Sequence, residues 1–134
     1  MLRLEIVTPE QKTYSDDVDS VVIPGVDGEL GILPQHVPLM TQIVPGELRV
    51  MKSGEEIRLA VGEGFVEVGA GKVSVLTDMA VRESDIDATA AEEAVLRAEE
   101  AMRNTKMSDE EHATVKAALQ KSLAQVRVKR RRAY

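Results

Sequence analysis

Cysteine is absent from the 134-residue chain, which excludes disulfide bonds, thiolate metal sites and cysteine nucleophiles. Aromatic residues are almost absent too, because there is no tryptophan and only Tyr14, Phe65 and Tyr134 carry aromatic rings. Hydrophobic residues still make up 43% of the chain, which is enough to form a buried core. That core must be aliphatic, built from Val, Leu, Ile and Met.

Long apolar runs are missing as well. No run approaches the roughly 20 residues that span a bilayer as a helix. The first residues, MLRLEIVTPEQ, place acids among the apolar positions, a pattern typical of neither a signal peptide nor a transit peptide. We therefore expect no direct membrane insertion, although docking on a membrane complex is compatible with the sequence.

Positive charge is scarce except in one segment. The net charge is −6, yet residues 127–132, RVKRRR, carry five positive charges and no acid. The rest of the chain sets 12 basic residues against 23 acidic ones and lies near −11. A cationic segment on an anionic body indicates a charged partner. Nucleic acid is one candidate, but no aromatic platform accompanies the basic run, so an acidic protein surface fits better.

The spacing of apolar residues divides the chain in two. Up to about residue 83 the period is two, with turn residues between short runs, which predicts strands. From residue 84 onward glycine and proline are absent and the period is helical. The chain is thus predicted to be α+β, with an antiparallel β-sandwich of about ten strands over residues 1–83 and an antiparallel two-helix hairpin over residues 84–134. The clearest strand runs are 2–8, 18–23, 48–52, 56–61, 65–68, 72–77 and 79–82.

Two capping boxes mark the predicted helix starts, Thr89 with Glu92 and Ser108 with Glu111. The first helix presents a seam rich in alanine, and alanine methyl groups bury little apolar area. We therefore expect the hairpin to dock weakly on the sandwich and to open easily. The predicted inner positions are Ala91, Ala94, Val95, Ala98, Ala101 and Met102 in the first helix, and Val115, Ala118, Leu119, Ser122, Leu123 and Val126 in the second.

Catalytic and metal-binding patterns are not found. The two histidines, His36 and His112, have neither a carboxylate at metal spacing nor a nucleophile in a recognisable motif. The segment VGAGKV (68–73) lacks the first glycine and the hydroxyl residue of a phosphate-binding loop, so it is interpreted as a hairpin turn. Asp27 and Glu29 flank Gly28 on a predicted exposed turn. We expect neither an enzyme nor a metal site.

Several segments together carry a resemblance to a known family: residues 7–50, GEGFVEV (62–68), KVSVLTDMAVRESDID (72–87) and the terminal hairpin. The most specific part is GELGILPQHVPL (28–39), followed a few residues later by PGELR (45–49). On these residues the chain resembles the epsilon subunits of bacterial F-type ATP synthases over essentially its full length. The resemblance implies a non-catalytic rotor subunit of the central stalk, peripheral at the cytoplasmic face of the bacterial plasma membrane.

The resemblance also implies three sets of contacts. The hairpin is expected either to fold on the sandwich or to extend into the catalytic head and block ATP hydrolysis. The expected contacts with the ring of c subunits are Asp27, Glu29 and Gly31. The expected gamma contacts are His36, Val37, Pro38, Leu39, Met40 and Thr41. The inhibitory contacts with the beta and alpha subunits are expected at Lys121, Arg127, Lys129, Arg130, Arg131 and Arg132.

Some members of that family bind ATP in the folded hairpin through an I-D-x-x-R-A motif. Here Ile86, Asp87 and Ala91 match, but Ala90 replaces the arginine. Lys121 and Gln125 stand where ATP-sensing members carry arginines. Each charge-assisted bond contributes about 1.5–3 kcal/mol, so we expect weak or absent ATP binding and no other cofactor.

The alternative function is a sandwich adaptor module whose basic tail binds nucleic acid.

Overall fold

The structure is a computed structural model, and it describes residues 1–10, 12–35, 37–104 and 106–131. Within these residues, ten strands form the first part of the chain. A short 3-10 helix, Glu83–Asp85, leads to two α-helices, α1 and α2. The strands are β1 (Leu2–Val7), β2 (Lys12–Val18), β3 (Ser20–Gly25), β4 (Gly28–Ile32), β5 (Leu39–Ile43), β6 (Gly46–Lys52), β7 (Glu55–Val61), β8 (Gly64–Gly69), β9 (Lys72–Thr77) and β10 (Ala80–Arg82); the helices are α1 (Ala88–Met102) and α2 (Asp109–Arg131).

The ten strands make one sheet that folds over into two layers. Its order is β10-β7-β6-β3-β5-β8-β9-β1-β2, with β4 paired to β3. Strands β3 and β5 share the single pair Gly25–Ile43, and the sheet turns there. The first layer is therefore β10-β7-β6-β3-β4 and the second is β5-β8-β9-β1-β2. The predicted sandwich of about ten strands followed by two helices is confirmed.

The strand pairing holds one feature that apolar spacing does not reveal. Strands β1 and β9 run parallel, with Leu4 opposite Val73 and Ile6 opposite Val75. The other described strand pairs are antiparallel. Alternation along a strand predicts which side chains face the core, but it is the same for either chain direction.

Three strands lie outside the clearest sequence runs. Strand β2 is mostly polar, and β5 begins directly after Pro38, so neither shows a long alternation. The prediction of an exposed turn at Asp27 and Glu29 is only half right, because the turn is confined to residues 26 and 27 and Glu29 lies in β4. Gly28, with φ +122°, supplies the positive φ that such a short hairpin turn needs.

The core between the layers is aliphatic, as predicted. Leu2, Leu4 and Ile6 point inward from β1 and are at most 1% exposed, which confirms the alternation of that strand. Tyr14 is the one aromatic residue in this cluster. The remaining buried members are Val18, Val21, Ile23, Ile32, Ile43, Leu48, Val50, Leu59, Val61, Val66, Val68, Val73 and Val75.

The two helix starts differ in how well the sequence predicts them. The predicted N-cap at Ser108 is confirmed, because its Oγ accepts a hydrogen bond from Glu111 N at 3.1 Å; the Glu111 carboxylate accepts from the Ser108 hydroxyl at 3.2 Å, where a full capping box would pair it with the Ser108 backbone N–H. The capping box at Thr89 is wrong. Asp87 is the N-cap instead, and its side chain accepts from Ala90 N at 3.0 Å. Asp87 is a strong capping residue. With Asp87 as the N-cap, the helix begins at Ala88, two residues earlier than a cap at Thr89 would place its start.

The hairpin is folded onto the outer face of the first layer through α2. Helix α2 packs against α1 on one side and against β6 and β7 on the other. Val128 and Ala124 are buried with Ala60 of β7 and with Ile86 in a second, small apolar cluster. The predicted seam of α1 is buried or half-buried throughout, as expected.

The prediction for α2 was incomplete, because it assigned the helix only one apolar face. Ala118, predicted to face inward, is exposed, whereas Ala124 and Val128 are buried and were not predicted. A helix held between another helix and a sheet needs two apolar faces.

No helix within the described ranges is long and apolar enough to cross a membrane.

Candidate functional site

An apolar row crosses the outer face of the second layer. It consists of Val7, Leu76, Phe65 and Met40. Val7 lies opposite Leu76, and Leu76 lies opposite Phe65, in neighbouring strands. Met40 stands diagonally from Phe65, within reach of a large side chain. Met40, Phe65 and Leu76 are 67%, 55% and 52% exposed. Contiguous exposed apolar side chains of this size mark a contact surface.

Two further large apolar side chains are exposed in the loop before β5. Leu33 and Val37 are 67% and 70% exposed. Val37 and Pro38 line a shallow groove together with Met1 and Ala70. His36, the histidine assigned to the gamma contact, lies outside the described residues.

The predicted gamma residues on β5 divide between its two faces. Met40 is exposed and belongs to the apolar row. Leu39 and Thr41, its neighbours, are only partly exposed, and Leu39 packs against the core. Of the three predicted gamma residues on β5, Met40 is therefore the one whose side chain is exposed; Gln42, two residues further along and opposite Phe65, is exposed on the same face. The sequence did not single out Phe65 or Leu76, although their outward positions in alternating strands were a usable signal.

The β3–β4 hairpin carries the three residues assigned to the c-ring. Asp27, Glu29 and Gly31 are all exposed. Glu29 and Gly31 lie two residues apart on β4 and therefore on the same face of the sheet. Gly31 is open, since a Cβ added there would meet no atom within 4 Å. Glu29 and Gly31 lie on β4, which is paired with β3 alone among the described strands, and Gly31 also lines a shallow groove with Leu33, Pro34 and Gln35.

Glu29 is not an isolated carboxylate. Its Oε2 accepts a hydrogen bond from Arg49 Nη1 at 2.8 Å. The same guanidinium nitrogen lies 3.2 Å from Glu47 Oε1. Burial acts to lower the pKa of Arg49, but hydrogen bonds to Glu47 and Glu29 outweigh it and raise the pKa. The sequence prediction missed Arg49, which is 20 residues away from Glu29.

Most of the described cations on α2 are engaged by acids of the same chain. Lys121 Nζ lies 3.2 Å from Asp78 Oδ2. Lys129 Nζ lies 3.5 Å from the Glu83 carboxylate and donates to the Glu83 carbonyl oxygen at 3.2 Å. Two of the three ion pairs thus hold α2 to the sandwich and its exit segment.

The third ion pair joins the two helices. Arg130 contacts Glu92 Oε1 of α1 at 2.7 Å, which brings the end of α2 beside the start of α1. Arg127 is exposed. The Arg131 side chain and Arg132 lie outside the described residues. Partly exposed ion pairs contribute about 0–1 kcal/mol each, so these three pairs orient the folded hairpin but add little to the free energy that holds it on the sandwich.

Two family models together match almost the whole chain. The model described as the beta-sandwich domain of the ATP synthase delta/epsilon chain matches residues 1–83, and the model of its long alpha-helix domain matches residues 84–130. The chain belongs to the ATP synthase delta/epsilon family.

Individual relatives in the family agree with this assignment. The chain is 43% identical over 127 residues to the ATP synthase epsilon chain of Herpetosiphon aurantiacus, covering 95% of this chain and 93% of that one. It is also 43% identical over 125 residues to the ATP synthase epsilon chain of Desulforamulus reducens, covering 93% and 94%. The resemblance inferred from the sequence motifs is therefore confirmed.

Solved structures support the fold. A chain in the mitochondrial ATP synthase of Euglena gracilis, in the OSCP/F1/c-ring assembly, superposes with a TM-score of 0.74 at 23% identity, over 89% of this chain and 75% of that one. A chain in the central stalk and c-ring of the Tetrahymena thermophila mitochondrial ATP synthase gives a TM-score of 0.57 at 13% identity, over 99% and 96%.

The positions matched to the ATP-binding motif of the family have structural tasks here. Ile86 and Ala91 are each 5% exposed, and Ile86 belongs to the small cluster beneath α2. Asp87 caps α1. Gln125 directs its Nε2 to Met79 Sδ at 3.1 Å.

Within the described part of the chain, no group of three or more His, Asp or Glu residues is placed to hold a metal ion.

Proposed function

We propose that this member of the delta/epsilon family is a non-catalytic central-stalk subunit of an F-type ATP synthase. It couples the gamma subunit to the c-ring and restrains ATP hydrolysis through its C-terminal hairpin. It is peripheral to the membrane, on the cytoplasmic side. The observation that carries the proposal is the apolar row, which lies on the layer opposite the one that α2 covers.

The apolar row is the proposed gamma surface. Burying a large apolar side chain contributes roughly 1.5–3 kcal/mol, so Met40, Phe65 and Leu76 together supply a substantial part of a stable contact. The hairpin lies on β6 and β7 of the other layer. Gamma and the folded hairpin therefore do not compete for the same face, and the rotor contact persists whether the hairpin is closed or open.

The gamma contact is tested with two equivalent charge substitutions. Phe65→Glu places a carboxylate within the apolar row, and Leu96→Glu places one at a comparably exposed apolar position on α1, where Leu96 is 66% exposed. Copurification with the gamma subunit should be lost for Phe65→Glu and retained for Leu96→Glu. Equal retention by both variants would contradict the assignment of this face to gamma.

The β3–β4 edge is the proposed c-ring surface. Gly31→Ala adds one methyl group where a Cβ meets nothing within 4 Å, so the fold tolerates it. Gly69→Ala is the matched control, because its Cβ is equally unobstructed but lies on β8. The Gly31 variant should bind an isolated c-ring more weakly and the Gly69 variant should not. If the two bind equally, the ring contact lies elsewhere.

The hairpin is proposed to inhibit hydrolysis only after it opens. In the folded arrangement Lys121, Lys129 and Arg130 are paired with Asp78, Glu83 and Glu92. An acidic loop of the catalytic beta subunit would have to replace these partners. Since each pair contributes little and the apolar cluster beneath α2 is small, exchange of partners is energetically accessible.

ATP binding by the folded hairpin is proposed to be weak or absent. The Asp87 side chain already caps a helix, and Ala90 provides no guanidinium for a phosphate group. Isothermal calorimetry of the full chain with ATP should show no submillimolar affinity. A submillimolar dissociation constant would show that other groups replace the missing arginines.

A further inference from the structure

We propose that Arg49 is a positioning residue for the c-ring contact, holding the Glu29 carboxylate at the β3–β4 edge in the orientation in which it meets the ring. This inference rests on the proposed ring surface and adds a residue that lies outside it in the sequence. It concerns a donor on β6 that reaches across the first layer to β4.

The backbone alone secures Glu29 poorly. Among the described strands, β4 is paired with β3 only. At the pair Pro24–Glu29, the carbonyl of Pro24 accepts from Val44 N at 2.9 Å and therefore points away from β4. In an antiparallel pair, two opposite residues either exchange both backbone hydrogen bonds or exchange none. Because the Pro24 carbonyl points away from β4, Pro24 and Glu29 form a non-hydrogen-bonded pair. The hydrogen bond from Arg49 is thus a local tether at this position.

Arg49 is itself held firmly in place. Its side chain is 20% exposed, and it contacts Glu47 at 3.2 Å and Glu56 at 3.6 Å in addition to Glu29. Arg58, which is paired with Arg49 across β6 and β7, lies 3.8 Å from the other oxygen of Glu47. A guanidinium fixed by several carboxylates directs its N–H groups in defined directions, and Nη1 here serves both Glu47 and Glu29.

The tether leaves Glu29 able to bind a partner. Its side chain is 60% exposed, and the hydrogen bond from Arg49 is made to Oε2, while a carboxylate offers about four acceptor sites. The matching partner is a loop that presents a cationic or N–H donor group. Fixing one flexible side chain before binding improves affinity roughly three- to tenfold, because its ordering cost is met in advance.

The test is a double-mutant cycle on the full-length chain, with affinity for a detergent-solubilised c-ring as the measurement. Glu29→Ala, which removes the acceptor of the Arg49 hydrogen bond, should weaken binding most. Arg49→Gln should weaken it roughly three- to tenfold, but it should have little further effect in a Glu29→Ala background, since Arg49 acts through Glu29. Arg58→Gln is the control from the same charge network and should stay within about twofold.

A second variant separates positioning from simple loss of stability. Arg49→Lys keeps the positive charge but not the planar guanidinium with its fixed set of N–H donors. Its affinity for the c-ring should fall between those of the wild type and Arg49→Gln. Amide exchange of residues 28–32 should rise in Arg49→Gln while the strands of the second layer are unchanged. An equal effect of Arg49→Gln in both backgrounds, or none in either, overturns the inference. If Glu29→Ala and Gly31→Ala both bind normally, the proposed ring surface is wrong and the inference fails with it.

Discussion

Val128 is the residue whose truncation best tests how the hairpin is held. It is fully buried on the face of α2 that meets the sandwich, in a cluster with Ala124, Ala60 and Ile86. Val128→Ala removes two methyl groups, worth about 0.8 kcal/mol each. Alanine's better helix propensity returns about 0.5 kcal/mol, and the remaining cavity adds a cost of similar size. The net loss is about 1.5 kcal/mol, which favours the open hairpin by roughly tenfold.

Amide hydrogen exchange followed by mass spectrometry measures that shift. Residues 109–131 should exchange about tenfold faster in Val128→Ala, whereas the strands keep their wild-type protection, because the main core contains no hairpin residue. Val68→Ala, a truncation of the same size at a position 2% exposed in that core, should instead weaken the strands. If Val128→Ala accelerated exchange equally in strands and hairpin, the two would unfold as one unit and the account of a separately opening hairpin would be refuted.

Three further predictions concern local features. Gly64→Ala should destabilise the protein by about 3 kcal/mol in urea unfolding, because its Cβ would lie 1.8 Å from a backbone oxygen of β9, while Gly69→Ala should not. A hydrogen bond from Lys52 holds the pKa of Asp16 below its ordinary value. This stabilisation is present above that ordinary value and lost as pH falls through the lowered one, so Asp16→Asn should show a flatter decline in stability below about pH 4, measured by unfolding at pH 2–7. Ser108→Ala should cost about 1 kcal/mol of helix stability, visible as faster amide exchange in the first turn of α2.

The sequence predicted most of the fold because apolar spacing follows burial directly. The inward residues Leu2, Leu4 and Ile6 and the alanine seam of α1 were readable from their periods alone. Strand β2 was missed because most of its residues are polar, and among its side chains that the structure describes, 14–18, the buried ones are Tyr14 and Val18. The parallel pairing of β1 with β9 depends on how distant strands meet in space, which no local period records.

The candidate surfaces were predicted where a contiguous motif carries them and missed where the chain assembles them from distant segments. Glu29 lies in the most specific motif of the sequence, residues 28–39, and Met40 directly follows that motif. Arg49 and Phe65 acquire their roles only when β6 approaches β4 and β8 approaches β5. The second face of α2 was missed for a similar reason, since Val128 meets Ala60 only after the hairpin folds back.

The central claim is that the hairpin restrains ATP hydrolysis when it leaves the sandwich. In the cysteine-free chain, the double variant Asp78→Cys/Lys121→Cys places two thiols where an ion pair of 3.2 Å now holds α2. A short bismaleimide then links them, and the same variant capped with a monomaleimide is the control. The measurement is ATP hydrolysis by an assembly of alpha, beta and gamma subunits with each form bound. The capped form should restrain hydrolysis and the linked form should bind without restraining it, whereas equal restraint by both would contradict the claim.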